Sequence, residues 1–305
     1  DMNAVPQLLF DALSLGGIYA MAALGIALIF GVMKLVNFAH GEYIAFCVFA
    51  LIVPSTDAVA VMFLGKAPAI LLIPLLLLIG AAIAVASEFF VFRHMRNATP
   101  VAMMISSFAL GFVIQNTLLL VYSSRPKAVS LWPELNQPVS IAGASIPLLQ
   151  IIVICTTLLV VVTLALLLKR TRIGLEMRSA AENFTMARLL GVRANVVITG
   201  AFALSGALAA AVALIMVTQT GVADIRMGGQ IMLVAFIATV IGGLGSLPGA
   251  VAAGFLIGAA SVILQGFLPL EARPFRDAFL YTLVIVSLLL RPDGLFAPRS
   301  TKPRV

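Results

Sequence analysis

Charge is what this chain lacks most. Only 10% of its 305 residues are Asp, Glu, Lys or Arg, against about 25% in an ordinary soluble domain. A surface that poor in charge cannot cover a water-soluble globule. Histidine is nearly missing: His40 and His94 stand far apart, and no His-Glu-x-x-His pair occurs. That removes the helical zinc-hydrolase pattern. No Gly-x-x-x-x-Gly-Lys-Ser/Thr loop occurs either, so the chain has no phosphate-cradling loop of that kind. If its work is driven by ATP, the ATPase is another polypeptide. Cys47 and Cys155 stand alone in apolar stretches, which suggests neither a disulfide framework nor a metal site. No catalytic constellation, metal site or cofactor is expected. An intramembrane enzyme would need a nucleophile beside a base, and none is apparent.

Apolar sequence fills the space that charge leaves. The chain is 62% hydrophobic, with a mean hydropathy of +1.15. The apolar runs are continuous rather than alternating, which indicates helices and not barrel strands. The expected fold is all-α: a polytopic transmembrane bundle of 8–9 segments, with Gly-rich breaks and one cytoplasmic helix, forming a single domain over 1–305. The formal charge of +7 invites a nucleic-acid reading. Basic loops facing the cytoplasm explain it better, and the surrounding partner is membrane lipid. The N-terminus lacks a basic region followed by a cleavage site, so the first span is expected to do the targeting.

In order, spans are expected at about 7–31, 43–53, 68–92, 101–122, 148–168 and 195–217. The apolar stretch 230–265 is too long for one crossing at about 1.5 Å per residue. It reads as two segments broken at Gly242-Gly243-Leu244-Gly245-Ser246-Leu247-Pro248-Gly249. A last span covers about 278–290. Span two is short, which places part of the preceding polar run, Val32–Glu42, at membrane depth. The stretch 123–147 carries Pro126, Trp132, Pro133, Pro138 and Gly143 and reads as an interfacial lid or short hairpin on the outer side. Gln115 and Asn116 read as hydrogen-bonding glue between helices. Glu88 is expected to pair with a nearby Arg or to reach water.

Orientation follows from the basic residues. Placing Lys34, Arg93, Arg96, the 169–193 stretch and the tail on one side gathers 13 of the 19 there. The remaining ones interleave with acids. The positive-inside rule then puts the N-terminus outside and the C-terminus in the cytoplasm. Eight crossings with one re-entrant segment is the competing count.

The longest polar-rich run that still reads as a helix is Ser179–Val192. Ser179 and Glu182 fit a capping box, and Gly191 stands where a left-handed residue would end the helix. Ala180, Ala181, Phe184, Ala187 and Leu190 follow helical spacing. Arg178 and Glu182 lie one turn apart. Arg178, Arg188 and Arg193 flank the run. Such a helix does not belong in hydrocarbon. It is expected on the cytoplasmic surface, within a loop spanning 169–194, as the socket for a separate motor protein.

The sequence ARLLGV at Ala187–Val192 resembles the coupling loop of ABC importer permeases. NFAHGE at Asn37–Glu42, GGLGSLPGAVAAGFLIG at Gly242–Gly258 and RPDGLF at Arg291–Phe296 resemble the Liv-type permeases for branched-chain amino acids, in the order that family shows them. The chain looks like the shorter of that family's two permeases. The resemblance implies a multi-pass protein of the bacterial inner membrane. It also implies a second homologous permease, two cytoplasmic ATPase subunits and a periplasmic solute-binding protein. Where the best-known importer loops begin Glu-Ala-Ala, this one reads Ser-Ala-Ala-Glu. The coupling residues expected on this basis are Ser179, Ala180, Glu182, Phe184, Ala187, Arg188, Leu190 and Gly191.

Two polar or Gly-rich breaks are candidates for the translocation pathway. One holds Asn37, His40 and Glu42, since ionisable groups at membrane depth tend to serve a function; the alternative is a cytoplasmic turn capping helix ends. The other holds Gly242, Gly243, Gly245 and Ser246, since broken helices often mark a transport path; the alternative is a tight turn between packed helices. The expected function is an importer permease for branched-chain amino acids or a similar small polar solute. A secondary transporter driven by an ion gradient is the alternative, and it calls for a membrane-embedded carboxylate pair.

Overall fold

Eleven helices carry the described chain: α1 (Ala4–Met33), α2 (His40–Ala50), α3 (Ala69–Ser87), α4 (Pro100–Tyr122), α5 (Leu148–Arg170), α6 (Arg172–Glu182), α7 (Phe184–Leu189), α8 (Ala194–Thr220), α9 (Met227–Gly242), α10 (Leu247–Phe267) and α11 (Arg276–Leu290). The computed structural model describes residues 4–141, 144–292 and 294–296. Gly143 and most of the C-terminal tail lie outside them. Six helices are long and apolar enough to cross a membrane: α1, α3 with its continuation to Phe92, α4, α5, α8 and α10. Three further apolar helices are shorter, at 11, 16 and 15 residues for α2, α9 and α11. At ~1.5 Å per residue none of these spans the ~30 Å core of a bilayer unaided.

The centre of the bundle is α1 and α8, whose faces are mostly buried, while α3, α4 and α5 turn most of their surface outward. Exposed Ile70, Leu78, Phe90, Leu120 and Leu159 lie on these outer helices. In water that pattern would drive aggregation; in lipid it costs nothing. Between helices in lipid, close packing replaces the hydrophobic effect, and small residues permit it. Helix α10 accordingly lies on α1 through Gly254 and Gly258, where an added Cβ would strike the backbone at Ala20 and Gly16.

The bundle has two distinct ends. At one, which we call the hairpin end, β2 (Pro138–Ile141) pairs antiparallel with β3 (Ala144–Pro147), and β1 (Lys127–Ala128) pairs with β4 (Val222–Ala223). Val59 bridges to Ala128, and Ile52 to Met62. Lys127 is fully buried there, its Nζ donating to the carbonyls of Ser55 (2.6 Å) and Asp57 (2.8 Å). The expected hairpin after span four is thus present. At the opposite, basic end lie the turn after α3 and the helices α6 and α7. Arg93, Arg96, Arg188 and Arg193 line one cavity there.

Two helices start inside the bundle rather than at an end. After α1 the chain turns at Lys34 (φ 54°) and runs without helix to His40. Helix α2 therefore begins beside Gly25 of α1 and Ser205 of α8. Helix α9 begins beside it: an added Cβ at Gly41 would strike the Gly228 backbone, and one at Gly228 the Gly41 backbone. Only glycine at both positions lets the two helix starts meet backbone to backbone. The expected span two, 43–53, is thus a half-length helix that starts at His40 and stops at Ala50, with the polar run leading into it.

Candidate translocation cleft and coupling surface

The run Asn37–Glu42 is interior, not a surface turn. Asn37 and His40 are fully buried and Glu42 is 7% exposed. Asn37 Oδ1 accepts from the Ala39 N–H (3.1 Å), while its Nδ2 donates to the Tyr43 hydroxyl (3.1 Å). This bond pair closes the turn into α2 and fixes Tyr43. His40 Nδ1 lies 3.1 Å from Ser205 Oγ, and that hydroxyl donates to the Gly25 carbonyl (2.9 Å). The Ser proton is thus spent on Gly25, and Nε2 meets the criteria for no hydrogen bond among the described residues. His40 thereby ties the start of α2 to both central helices.

Glu42 faces the other way. It opens onto a flank cleft of about 370 Å³, lined by Phe38, Phe108, Phe112, Phe236, Met232 and Leu233 together with Gly111, Gln115 and Gly229. Phe38 stacks on Phe108 at 4.1 Å between centroids and leans on Phe236 at 5.4 Å. The Phe38 N–H donates to Ser107 Oγ (3.2 Å), which anchors this wall to α4. Glu42 Oε2 is buried without a partner among the described residues. Of the three expected residues in this run, only Glu42 reaches the cleft; Asn37 and His40 hold it in place.

Gln115 belongs to the cleft and Asn116 is exposed, its Nδ2 donating to Phe112 of its own helix. Among the described residues neither bonds across helices, so the expectation of interhelical glue is corrected: Asn116 is on the exposed face of α4, and Gln115 turns toward the cleft it shares with Glu42.

The second expected break is a turn at the basic end. Gly242 closes α9; Gly243 (φ 92°) and Gly245 (φ 87°) take left-handed conformations. Ser246 caps α10, its Oγ accepting from Gly249 N–H (3.1 Å). Gly245 lies near Phe30 and beside Met177, Arg178 and Ala181 of α6. None of Gly242, Gly243, Gly245 and Ser246 lines the Glu42 cleft. The Gly pair that does meet α2 is Gly228–Gly229, in the first turn of α9. In the sequence 218–229 has the polar, Gly-bearing look of a loop, and the Met-Gly-Gly start is the signal that could have marked it.

At the basic end the expected capping box is corrected. The helix starts earlier, with Thr171 Oγ1 accepting from Gly174 N–H (3.0 Å). Ser179 sits mid-helix and donates to the Leu175 carbonyl (2.9 Å), and Glu182 is the last residue of α6. The single helix is in fact two. Asn183 (φ −151°) ends α6 and caps α7, its Oδ1 accepting from Met186 N–H (3.0 Å). An Asn side chain is short enough to serve as a cap, while Ser179, inside the helix, bonds back to its own turn instead. No Arg178–Glu182 ion pair forms among the described residues.

Gly191 is where the pattern put the stop. Its φ is 92°, and the N–H groups of Gly191 and Val192 return to the carbonyls of Arg188 (3.1 Å) and Ala187 (3.0 Å). That left-handed closure satisfies the last carbonyls of α7. Ala180 and Ala187 face inward, each 3% exposed; Leu189 and Leu190 face outward at 78% and 84%. Phe184, Arg188 and Arg193 join Arg93, Arg96 and Asn195 around a cavity of about 790 Å³.

Behind that cavity sits Glu88, fully buried. It opens a π-helical turn, Glu88–Phe92. Its carboxylate accepts from Arg93 (2.9 and 3.3 Å), Arg96 (2.5 Å) and Thr199 Oγ1 (3.2 Å). Arg96 also donates to Asn195 (2.5 Å). The expected pairing of Glu88 with Arg is borne out, and it bolts the end of α3 to the start of α8.

A helical bundle with an apolar belt, a flank cleft and an exposed two-helix loop is the build of a multi-pass membrane protein. A family model described as the permease component of the branched-chain amino acid transport system matches residues 8–288, and the chain belongs to that family. It is 31% identical over 299 residues to the high-affinity branched-chain amino acid transport system permease protein BraD of Pseudomonas aeruginosa, covering 95% of this chain and 94% of that one. It is 30% identical over 306 residues to the LivH permease protein of Salmonella typhimurium, and 29% to that of Escherichia coli, again across 95% of this chain and 94% of theirs. No solved structure matches.

Proposed function

We propose that this chain is one of two membrane subunits of an ATP-driven importer in the inner membrane, and that it passes a branched-chain amino acid or a similar small polar solute. Family membership supports the class, and the names of the relatives support the solute. The whole of 1–305 acts as a single permease domain. The loop 169–194 is the foothold of a cytoplasmic ATPase; a second permease closes the cleft on the flank of α4 and α9. The hairpin end faces the periplasm and its solute-binding protein. The N-terminus then lies outside and the C-terminus inside, as the basic end favours.

The observation that carries the coupling role is the outward pair Leu189 and Leu190, at the end of a short helix seated through the buried Ala187. A water-exposed leucine pair beside a basic cavity is a contact surface awaiting a partner. Closure of the ATPase pair would push on α7, and the Glu88 clasp would pass the load to α3 and α8. The ion-driven alternative needs two membrane carboxylates. Glu88 is taken by Arg93 and Arg96, and Asp11 of α1 is bonded to Gln7 and Gln150, so among the described residues Glu42 has no free membrane carboxylate to pair with.

The test is ATP-dependent leucine uptake into vesicles holding the complete transporter. Gly191→Val strains a left-handed position, and Ala187→Glu puts a charge on the buried face. Each is expected to lower uptake at least tenfold while the subunit still inserts and ATP is still hydrolysed. Uptake unchanged in both variants would overturn the docking role.

A further inference from the structure

We infer that the Glu42 cleft is a recognition site for a zwitterion: Glu42 takes the ammonium, the start of α9 at Gly229 takes the carboxylate, and the phenylalanine rings take an apolar side chain. This rests on the reading of the chain as an importer subunit and goes beyond it, because specificity would then lie partly in the membrane. Three independent observations converge. The first is the unpartnered Oε2 of Glu42, buried beside the cleft. An unpaired buried acceptor is costly, and the other buried acid, Glu88, has all its bonds made within the protein. A donor arriving from outside relieves the cost.

The second is the helix start across from it. The first-turn N–H groups of a helix lack intrahelical acceptors and carry a partial positive charge. Gly229 is the third residue of α9 and lines the cleft, and its missing side chain leaves the backbone open: an added Cβ would meet nothing within 4 Å. Such a start inside a bundle suits an anionic group. The Gly41–Gly228 contact holds both features in one place, because it joins the helix bearing Glu42 to the helix starting before Gly229.

The third is the wall. The rings of Phe38, Phe108, Phe112 and Phe236 line it, Phe38 and Phe108 stacked on each other, and give an apolar wall suited to an aliphatic side chain. A volume of about 370 Å³ lies at the lower end of the ~300–1,000 Å³ of small-molecule sites, so it fits a solute of amino-acid size. A bare amine would leave the α9 start unused. A bare acid would face Glu42.

The complete transporter in vesicles, with its binding protein, tests this. Glu42→Gln is expected to cut leucine uptake at least tenfold while ATP hydrolysis stimulated by the loaded binding protein stays within twofold of wild type. Glu42→Asp should recover part of the uptake. In a second measurement, Phe112→Cys is made after Cys47 and Cys155 are replaced, and maleimide labelling is followed. Leucine should slow labelling at least threefold; isoamylamine and 4-methylpentanoate should not, and Glu42→Gln should abolish the protection. Uptake by Glu42→Gln within twofold of wild type, or equal protection by the amine or the acid, overturns the inference. So does joint loss of uptake and stimulated hydrolysis, which would make Glu42 a structural residue. Absence of ATP-dependent uptake in wild type would instead sink the importer reading itself.

Discussion

Glu42 and Glu88 are both acids inside a membrane bundle, and their surroundings give them opposite jobs. Glu88 meets two guanidiniums and a hydroxyl; Glu42 meets phenyl rings and a free space. Removing one partner of a buried ion pair is costly because the other charge is stranded. Arg93 and Arg96 side chains are 32% and 24% exposed, so water recovers part of that loss. Glu88→Gln should therefore destabilise the folded protein by about 2 kcal/mol rather than the larger figure for a wholly buried pair. A lower unfolding midpoint in detergent, partly reversed by Arg96→Gln in the same chain, would show it. No change in midpoint would mean that the network contributes nothing net.

At the scale of elements, caps and helix starts matter more than spans. Asn183→Ala removes the acceptor that begins α7 and should cost about 1 kcal/mol locally. The expected outcome is a normal global unfolding midpoint with faster amide exchange over 184–190. Gly228→Val forces a side chain against the Gly41 backbone. It should separate the starts of α2 and α9 and lower both the yield of folded protein and uptake. Wild-type uptake would show that the two starts can part without cost. The long helices were legible because twenty apolar residues in a row admit few other readings in a bilayer. The stop at Gly191 was legible because a left-handed residue leaves a glycine. The start at Thr171 and the break at Asn183 were not, since Ser179–Glu182 fits a capping box as well as it fits mid-helix and only packing decides. The meeting of Gly41 with Gly228 joins residues nearly two hundred positions apart, and no local pattern encodes it. For Glu42 the sequence left a pathway group and a cytoplasmic turn open alike, and its separation from Asn37 and His40 depends on which face of α2 each occupies.

For the molecule as a whole, α1 and α8 act as a fixed axis and α3, α4 and α5 form its lipid-facing rind. The flank bearing Phe112 and Leu233 carries the Glu42 acid and the Gln115 amide among its rings. Composition alone could not single it out, because lipid and a partner permease both accept apolar surface. The two ends differ more plainly: Arg93, Arg96, Arg188 and Arg193 converge on one, while the other is knit from short strands.

That knitting has a mechanical meaning. Lys127 fastens the 55–57 loop, and its own strand is paired with β4, which follows α8. Three connections that would otherwise flap independently are riveted into one plate. Whatever presses on any corner of that plate leans at once on the helices ending at Ala50, Tyr122 and Thr220, and one of those begins two residues before Glu42.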